Sequence, residues 1–307
     1  MHVGIWRGRI AAAALALIVG LFTVVRPAPA ATPVPTRTPV PGSVAQVMRN
    51  VAYCTVGGVA LSMDVYIPQR SGPRPLVIYI HGGGFVSGDK DSSTARVHIR
   101  DLNNRGYVAA TINYRLAPAF KFPAMLEDVK CAIRHFRARA SKYGIDPNRI
   151  GLLGHSAGAQ LAALAGLADR RAGLEGSGAF LNQSSRVNAV VSLYGYADMT
   201  VALPRRQRDQ LLKTFATVDG LKRGSPVAYI SADDPPFLIM HGDRDQTIPA
   251  SQSQILYQRL RGAGVPATLY LVANADHGFT PVGGQPVTPT QKERLKYIGD
   301  FFDRWLR

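Results

Sequence analysis

The amino-acid sequence predicts an α/β fold in which a mostly parallel central sheet carries helices on both faces. The first observation is that strand-like and helix-like segments alternate after Pro41, which is typical of such a sheet. The second is the pair of strand-like segments 53–56 and 60–67 around Gly57-Gly58, a two-residue turn that tolerates positive φ. This turn predicts an antiparallel hairpin at the start of the sheet.

The remaining elements follow in the order that this fold requires. Further strands are predicted at residues 76–80, 108–113, 150–153, 189–194, 237–240 and 268–272. Helices are predicted at residues 94–105, 123–143, 157–168 and 251–261, and apolar residues recur at helical spacing in 123–143. The chain closes with a helix whose inner face is marked by Leu295, Ile298, Phe302 and Leu306.

Two segments interrupt the alternation, at residues 169–186 and 197–236. Both are rich in Gly, Pro or charged residues. A connection of that length in a compact domain is usually functional or partly helical. We predict that residues 197–236 form a small lid over the functional site.

The N-terminal region differs in composition from the rest of the chain. Arg7 and Arg9 precede an apolar run at residues 10–25, Ala28-Pro29-Ala30 offers a small-x-small cleavage site, and a Pro-rich stretch follows. We interpret residues 1–30 as a signal peptide or, if uncleaved, an N-terminal membrane anchor, residues 31–42 as a linker, and residues 43–307 as the catalytic domain. The protein is therefore expected to be exported, either secreted or held in the cell envelope.

Charge and cysteine content narrow the classes of partner. The chain has 36 Lys and Arg against 20 Asp and Glu, a net charge of +16, but its basic residues are scattered. The densest basic group comprises Arg205, Arg206, Arg208 and Lys213. It lacks the aromatic residues that alternate with basic residues on a nucleic-acid-binding surface, so no nucleic-acid partner is predicted. Two cysteines, Cys54 and Cys131, exclude a Cys-based metal cluster and leave their own pairing open.

Residues 154–158 read Gly-His-Ser-Ala-Gly and lie between the predicted central strand and the helix after it. This is the Gly-x-Ser-x-Gly pattern of a nucleophile elbow. A strand that turns sharply into a helix crowds its backbone, and glycines beside the serine allow its hydroxyl to project from the end of the sheet. We predict that Ser156 is a nucleophile.

A glycine run, His81-Gly82-Gly83-Gly84-Phe85, follows the strand predicted at residues 76–80. An acyl-transfer enzyme must stabilise the negative oxygen of its tetrahedral intermediate with preorganised N–H donors, and glycines let backbone amides approach that oxygen. We predict that the amides of Gly83, Gly84 and Ala157 form this oxyanion hole, Ala157 lying at a helix N-terminus that also favours negative charge.

A nucleophilic serine needs a base, and hydrolases with this elbow place the three groups in the order Ser, acid, His. His241 and His277 follow Ser156. His277 lies between the last predicted strand and the last predicted helix and is the predicted base. His241 ends a strand, which favours a packing and hydrogen-bonding role beneath the loop.

Three aspartates compete for the role of the orienting acid. Asp245 lies deeper in the loop after strand 237–240 than Asp243, and we favour it on the hydrolase order. Asp243 suits a cap or an arginine partner. Asp276 adjoins His277, but adjacent side chains point apart, so it is a poor orienter.

Several motifs of the chain resemble those of a known family. The matching motifs are residues 81–85, Tyr114-Arg115-Leu116-Ala117-Pro118, residues 154–158, Ser225-Pro226, His241-Gly242 with Asp245, and Asp276-His277-Gly278. They look like the α/β-hydrolase esterases of the hormone-sensitive-lipase and feruloyl-esterase-like branches, over about residues 53–307. The resemblance implies a single catalytic domain with the α/β-hydrolase fold, carboxylesterase activity and no cofactor.

Some residues depart from the hormone-sensitive-lipase pattern. His155 replaces the acidic residue that usually precedes the serine, Ala159 stands where a second Gly is frequent, and the segment before His81 is too short for a full helical cap. These departures favour the smaller feruloyl-esterase-like group.

The expected function is hydrolysis of short- to medium-chain or aryl esters through an acyl-enzyme, with a small-molecule ester as partner. Candidate pocket walls, for which ordinary core packing is the alternative, are Phe85, Tyr194, Tyr196 and Phe279. Two other functions stay open: an amide-acting serine hydrolase, either a formamidase or a peptidase, and a non-catalytic binding protein. No metal is predicted, membrane contact is expected only through an uncleaved anchor, and the oligomeric state is left open.

Overall fold

The computed structural model describes Met1 and residues 44–69, 72–201 and 203–307. Apart from Met1, the predicted leader at residues 1–30 and linker at residues 31–42 lie outside the described residues. None of the helices in the described ranges is long and apolar enough to span a membrane.

The described residues form one eight-stranded sheet in the order β1-β2-β4-β3-β5-β6-β7-β8. Its strands are β1 (Val44–Val56), β2 (Val59–Pro68), β3 (Arg74–Ile80), β4 (Val108–Ile112), β5 (Ile145–His155), β6 (Ala189–Leu193), β7 (Phe237–Gly242) and β8 (Ala267–Val272). β2 pairs antiparallel with β1 and β4, and every other pairing is parallel. The predicted mostly parallel sheet with an antiparallel N-terminal hairpin is confirmed.

Helices cover both faces of this sheet. They are α1 (Ser93–Asn104), α2 (Ala124–Ala138), α3 (Ala140–Tyr143), α4 (Ala157–Leu167), α5 (Arg205–Phe215), α6 (Val218–Arg223), α7 (Ser251–Gly262) and α8 (Gln291–Leu306). Short 3₁₀ helices occupy Arg170–Ala172, Pro226–Tyr229 and His277–Phe279.

Strand β3 shows how the two faces are packed. Its side chains alternate, because successive residues of a strand point to opposite faces of the sheet. Leu76, Ile78 and Ile80 are buried in an apolar cluster with α2, α4 and α7, whereas Val77 and Tyr79 are buried in a second cluster with α1 and α8. The neighbouring strand β5, which leads to the serine, is packed in the same way, with Leu152 in the first cluster and Leu153 in the second.

The helix predicted at residues 123–143 is two helices in the structure. Arg139 has φ −116° and ψ 26°, outside the helical region, and it separates α2 from α3. The predicted apolar stripe is nevertheless buried along α2. Periodicity therefore identified the buried face but did not reveal the local break.

The two cysteines form a disulfide. Cys54 in β1 and Cys131 in α2 are 77 residues apart in sequence and are bonded through their Sγ atoms. Both side chains are buried. The bond joins the N-terminal hairpin to α2. The sequence alone left open whether these two cysteines pair.

The segment predicted as a lid, residues 197–236, contains α5, α6 and a 3₁₀ turn. Helix α5 contributes Gln210 to the lining of the cavity that contains Ser156. Leu211 and Phe215 of the same helix are buried in the core. Part of this segment therefore lies over the site while its inner side anchors it to the domain.

Candidate active site

The predicted elbow lies between β5 and α4, at the end of the central strand. Ser156 adopts φ 54° and ψ −122°, a backbone conformation that is strained for a residue with a side chain. Its amide donates to the carbonyl of Leu193 at 2.9 Å, which fixes the turn against the neighbouring strand. The strain is therefore held by the surrounding sheet.

The two elbow glycines are required by close backbone approach. A Cβ added at Gly154 would lie 2.1 Å from the carbonyl oxygen of Gly158. One added at Gly158 would lie 2.2 Å from the carbonyl oxygen of Ile80, in the strand that precedes the glycine run. Because backbone atoms cannot move aside as a flexible side chain can, any larger residue would disrupt the turn that presents Ser156.

The structure brings the predicted nucleophile, base and acid into one hydrogen-bonded chain. His277 Nε2 lies 2.9 Å from Ser156 Oγ, and His277 Nδ1 lies 2.8 Å from Asp245 Oδ2. Asp245 comes from the loop after β7, and His277 comes from the 3₁₀ turn after β8. These distances are within hydrogen-bond reach, which a Ser-His-Asp relay requires.

The environment of Asp245 keeps its carboxylate ionised. Burial acts to raise the pKa of Asp245, but hydrogen bonds from His241, His277 and the Ile248 amide outweigh it and hold the pKa well below its usual range. The amides of Thr247 and Ile248 each donate to Oδ1 at 2.8 Å. A fixed negative charge therefore faces the imidazole of His277.

His241 supports this loop and does not reach the serine. Its ring is buried, Nδ1 lies 2.7 Å from Ser253 Oγ, and Nε2 lies 2.8 Å from the carbonyl oxygen of Ile248. The same Nε2 is 3.1 Å from Asp245 Oδ2. This arrangement agrees with the packing role expected for His241.

The other two aspartates brace the loops. Asp243 Oδ1 accepts a hydrogen bond from the amide of Ala275 at 3.3 Å. Asp276 Oδ1 accepts hydrogen bonds from the amides of Gln246 at 2.8 Å and His277 at 2.6 Å. Within the described residues, Asp245 is thus the acid hydrogen-bonded to the imidazole.

The glycine run and the start of α4 face the same site. Gly83 and Gly84 have φ values of 114° and 61°, and both residues line the cavity with Ser156. In the part of the chain that the structure describes, the amides of Gly83, Gly84 and Ala157 donate no hydrogen bond to another residue. They are thus available for an oxyanion, and that role stays a prediction.

His155 connects the glycine run to the elbow. The amide of Gly82 donates to His155 Nε2 at 3.2 Å, so in the neutral ring Nδ1 carries the proton and donates to Tyr79 Oη at 2.7 Å. Burial, followed by the charges of nearby histidines, lowers the pKa of His155 to about 3. The sequence marked His155 only as a departure from a family pattern, because its partner lies 73 residues away.

Acidification is expected to destabilise the fold through His155. Because the pKa of His155 in the folded chain lies below its ordinary value of 6.5, the unfolded chain binds the proton first. The stabilisation is present above pH 6.5 and is lost as the pH falls towards 3. At pH 5, protonation of His155 in the unfolded chain has lowered the free energy of unfolding by about 2 kcal/mol. Urea denaturation at pH 7 and pH 5 measures this change.

The matched variant is His155→Phe, which keeps an aromatic ring and cannot titrate. Between pH 7 and pH 5 its free energy of unfolding should fall by about 2 kcal/mol less than that of the wild type, because the contribution from His155 is absent. Part of the remaining decrease is assigned to His98, because burial and then the charge of Arg294 lower its pKa to about 4. An equally steep fall in the variant would contradict the prediction.

A cavity of about 780 Å³ opens above Ser156 and His277. Tyr194 and Phe279 line it as predicted, and their rings meet edge to face with centroids 4.8 Å apart. Phe85 and Tyr196 are outside the lining: both are buried in the core, and Phe85 packs on the lid segment. The expectation that these two form the pocket is thus not met, since their rings point into the packed layer.

Sequence reasoning missed one wall of the cavity. The N-terminal halves of α1 and α8 line it with Ser93, Thr94, Val97, His98, Gln291, Arg294 and Leu295. Neither helix carries a motif, and their proximity follows from packing on one face of the sheet. No cluster of three His, Cys, Asp or Glu side chains in the described ranges is arranged to hold a metal ion.

A family model, BD-FAE, matches residues 63–260, which is more than half of the 307-residue chain. The chain belongs to the BD-FAE family. This BD-FAE protein is 36% identical over 233 residues to "Esterase LipC" of Mycobacterium tuberculosis, and the match covers 71% of this chain and 56% of LipC. The chain spans about half the length of the curated relatives it matches.

Several solved structures with the same fold are esterases. A truncated carbohydrate esterase from gut microbiota has a TM-score of 0.74 and 29% identity to this BD-FAE protein, covering 87% of this chain and 99% of that one. A Thermogutta terrifontis esterase with propionate bound has a TM-score of 0.71 and 26% identity, covering 85% and 94%. The same esterase was also solved phosphonylated by sarin, with a TM-score of 0.73. The resemblance to α/β-hydrolase esterases is confirmed.

Proposed function

We propose that this BD-FAE protein is a serine carboxylesterase that hydrolyses short- to medium-chain or aryl esters. The observation that carries the proposal is the hydrogen-bonded chain from Ser156 through His277 to Asp245, with distances of 2.9 Å and 2.8 Å. A serine hydroxyl is a weak nucleophile at neutral pH, and an adjacent oriented base is what activates it. The arrangement therefore supports nucleophilic catalysis at an acyl carbon.

In the proposed acylation step, Ser156 Oγ attacks the acyl carbon as His277 Nε2 takes the hydroxyl proton. Asp245 accepts the hydrogen bond from Nδ1, which keeps the imidazole in the required tautomer and stabilises the imidazolium. Collapse of the tetrahedral intermediate breaks the bond to the alcohol, which leaves with the proton from His277. The acyl group then remains on Ser156.

The intermediate and the second half-reaction use the same groups. The amides of Gly83, Gly84 and Ala157 donate to the oxyanion, in a site where preorganised donors need no reorientation. Water then attacks the acyl-enzyme while His277 accepts its proton. Breaking of the Ser156 ester returns the hydroxyl and releases the carboxylic acid.

Esters are favoured over amides by the names of the relatives and neighbours, which include LipC and the propionate-bound esterase. The triad chemistry alone is common to both bond types. The cavity of about 780 Å³ lies in the usual range for small-molecule sites. A small ester is therefore the proposed substrate.

We also propose that the protein acts outside the cytoplasm, through residues 1–30 as a signal peptide or anchor. The Cys54–Cys131 disulfide supports this, because disulfides persist mainly in oxidising compartments. N-terminal sequencing of protein made in a secreting host tests it: a mature chain starting at Ala31 supports cleavage. If the protein made in that host stays in the cytoplasm and lacks the disulfide, the proposal of export is contradicted.

The test of the proposed activity is a 4-nitrophenyl ester series from acetate to laurate, with an N-acyl 4-nitroanilide alongside. Turnover of the short esters that exceeds anilide turnover supports the carboxylesterase. Preference for the anilide would favour an amide-acting hydrolase. A folded protein that turns over neither class would favour the binding-protein alternative.

A further inference from the structure

The wall of the cavity formed by α1 and α8 carries a cation, Arg294. Its guanidinium donates to the carbonyl of Pro289 at 2.5 Å and lies 4.6 Å from the ring centroid of Phe279. Phe279 and Arg294 both line the cavity that contains Ser156. The charge is therefore held beside the aromatic wall that adjoins His277.

Arg294 has no acidic partner in the part of the chain that the structure describes, whereas Arg105, Arg115 and Arg134 each form salt bridges with Asp or Glu. Arg74 and Arg137 also form no salt bridge in the described ranges, but neither of them lines the cavity. Within the described residues, no carboxylate lies within 4.0 Å of the Arg294 guanidinium. The described residues that line the cavity include no Asp or Glu. Burial lowers the pKa of Arg294, which means that its surroundings disfavour the charged guanidinium. Within the described residues no carboxylate offsets this cost.

A second polar group on the same wall is incompletely paired. His98 of α1 is only 9% exposed, and its Nδ1 atom is buried without a hydrogen-bond partner. His98 lines the same cavity and feels the charge of Arg294. Buried polar groups in proteins are nearly always satisfied, so His98 shows that the polar groups of this wall are incompletely paired within the protein. The Nδ1 atom itself is inaccessible to a ligand, so Arg294 is the charged group on this wall that a ligand in the cavity can contact.

We propose that the preferred substrates are esters that carry a carboxylate remote from the scissile bond, and that Arg294 binds this carboxylate. The proposal rests on the proposed esterase function and names its substrate class. The planar guanidinium presents paired N–H donors that match a carboxylate. The net positive charge of the chain, which persists when the three arginines of residues 1–30 are left out, also favours the approach of anionic substrates.

Two matched substrate pairs test the proposal with the full chain. One pair carries the charge on the alcohol side: 4-acetoxybenzoate and its neutral analogue 4-acetoxybenzamide. The other carries it on the acyl side: 4-nitrophenyl hexanoates that end in a carboxylate or a carboxamide. The measured quantity is the ratio of kcat/KM for the charged member to that for the neutral member.

We expect the charged-to-neutral ratio to fall by roughly 10- to 100-fold in Arg294→Gln for at least one pair, the range for a lost hydrogen bond to a charged group. Arg294→Lys should retain part of the preference, because it keeps the charge but not the paired donors. The matched control is Lys292→Gln, which removes one positive charge from the exposed side of the same helix. Its ratio should remain within about twofold of the wild-type ratio.

The outcomes separate this proposal from the esterase proposal. Ratios unchanged by Arg294→Gln in both pairs, with neutral esters still hydrolysed, would overturn the carboxylate site and leave the esterase intact. An equal fall in Lys292→Gln would also overturn it, since the effect would then come from general charge. If wild-type protein hydrolyses no member of either pair, the proposed function itself fails.

Discussion

Ester hydrolysis by the Ser156→Ala variant is expected to be at least about 10⁴-fold slower in kcat/KM than by the wild type. The Ser156 hydroxyl is 2.9 Å from His277 Nε2, and alanine leaves that base with no nucleophile to activate. The oxyanion donors and the cavity would remain, so a small residual rate is compatible with this result. Initial rates on 4-nitrophenyl acetate measure the loss.

The matched control for this variant is Ser141→Ala, which removes a serine hydroxyl from an exposed position outside the cavity. Ser141 is on α3 and does not line the cavity that contains Ser156. Its rate should remain within about threefold of wild type, because a surface substitution of this kind leaves the fold and the reacting groups unchanged. Comparable losses in both variants would remove the basis for assigning the nucleophile.

A covalent probe gives an independent readout of the same residue. A fluorophosphonate is expected to modify Ser156 in the wild type, and peptide mass spectrometry locates the adduct. The Thermogutta terrifontis esterase phosphonylated by sarin is a precedent for this reactivity in a structural neighbour. Modification of a different residue, or equal labelling of Ser156→Ala, would contradict the assignment.

Asp245→Asn is expected to lower kcat by roughly 10³- to 10⁴-fold while the protein stays folded. The asparagine side chain still offers an oxygen to the Thr247 and Ile248 amides, so the loop keeps its hydrogen bonds. It removes the negative charge 2.8 Å from His277 Nδ1, and with it the preference for the productive tautomer. Circular dichroism and steady-state kinetics together separate lost chemistry from lost structure.

The neighbouring acid provides the control for Asp245. Asp276→Asn makes the same chemical change next to His277 in sequence, but Asp276 accepts only backbone hydrogen bonds. We expect less than a tenfold effect on kcat from this variant. A larger loss in Asp276→Asn than in Asp245→Asn would transfer the role of the orienting acid.

Much of the fold could be derived from the sequence because its signals are short-range. Alternating strand and helix patterns predicted the parallel sheet, and Gly57-Gly58 predicted its antiparallel hairpin. The elbow glycines also carry a local signal, since the crowding at Gly154 and Gly158 follows from the turn itself. The break at Arg139 inside a regular apolar pattern shows where periodicity alone is insufficient.

The choice of candidate triad residues also came from the chain order. Only two histidines follow Ser156, and the one between the last strand and the last helix is the one that the structure places against the serine. The aromatic predictions were half met: Tyr194 and Phe279 line the cavity, whereas Phe85 and Tyr196 are packed inside. Position after a strand does not determine which way an aromatic ring points.

The sequence by itself thus determined the class of fold, the elbow and the order of the candidate catalytic groups, because turn chemistry and hydrophobic period are encoded by neighbouring residues. Only the tertiary structure decided the Cys54–Cys131 bond, the link from His155 to Gly82, and the placement of Arg294 against Phe279. The first two of these pairs join segments 77 and 73 residues apart, and the third depends on how α8 packs over the sheet. Such contacts depend on how the layers pack in three dimensions, which no local pattern specifies.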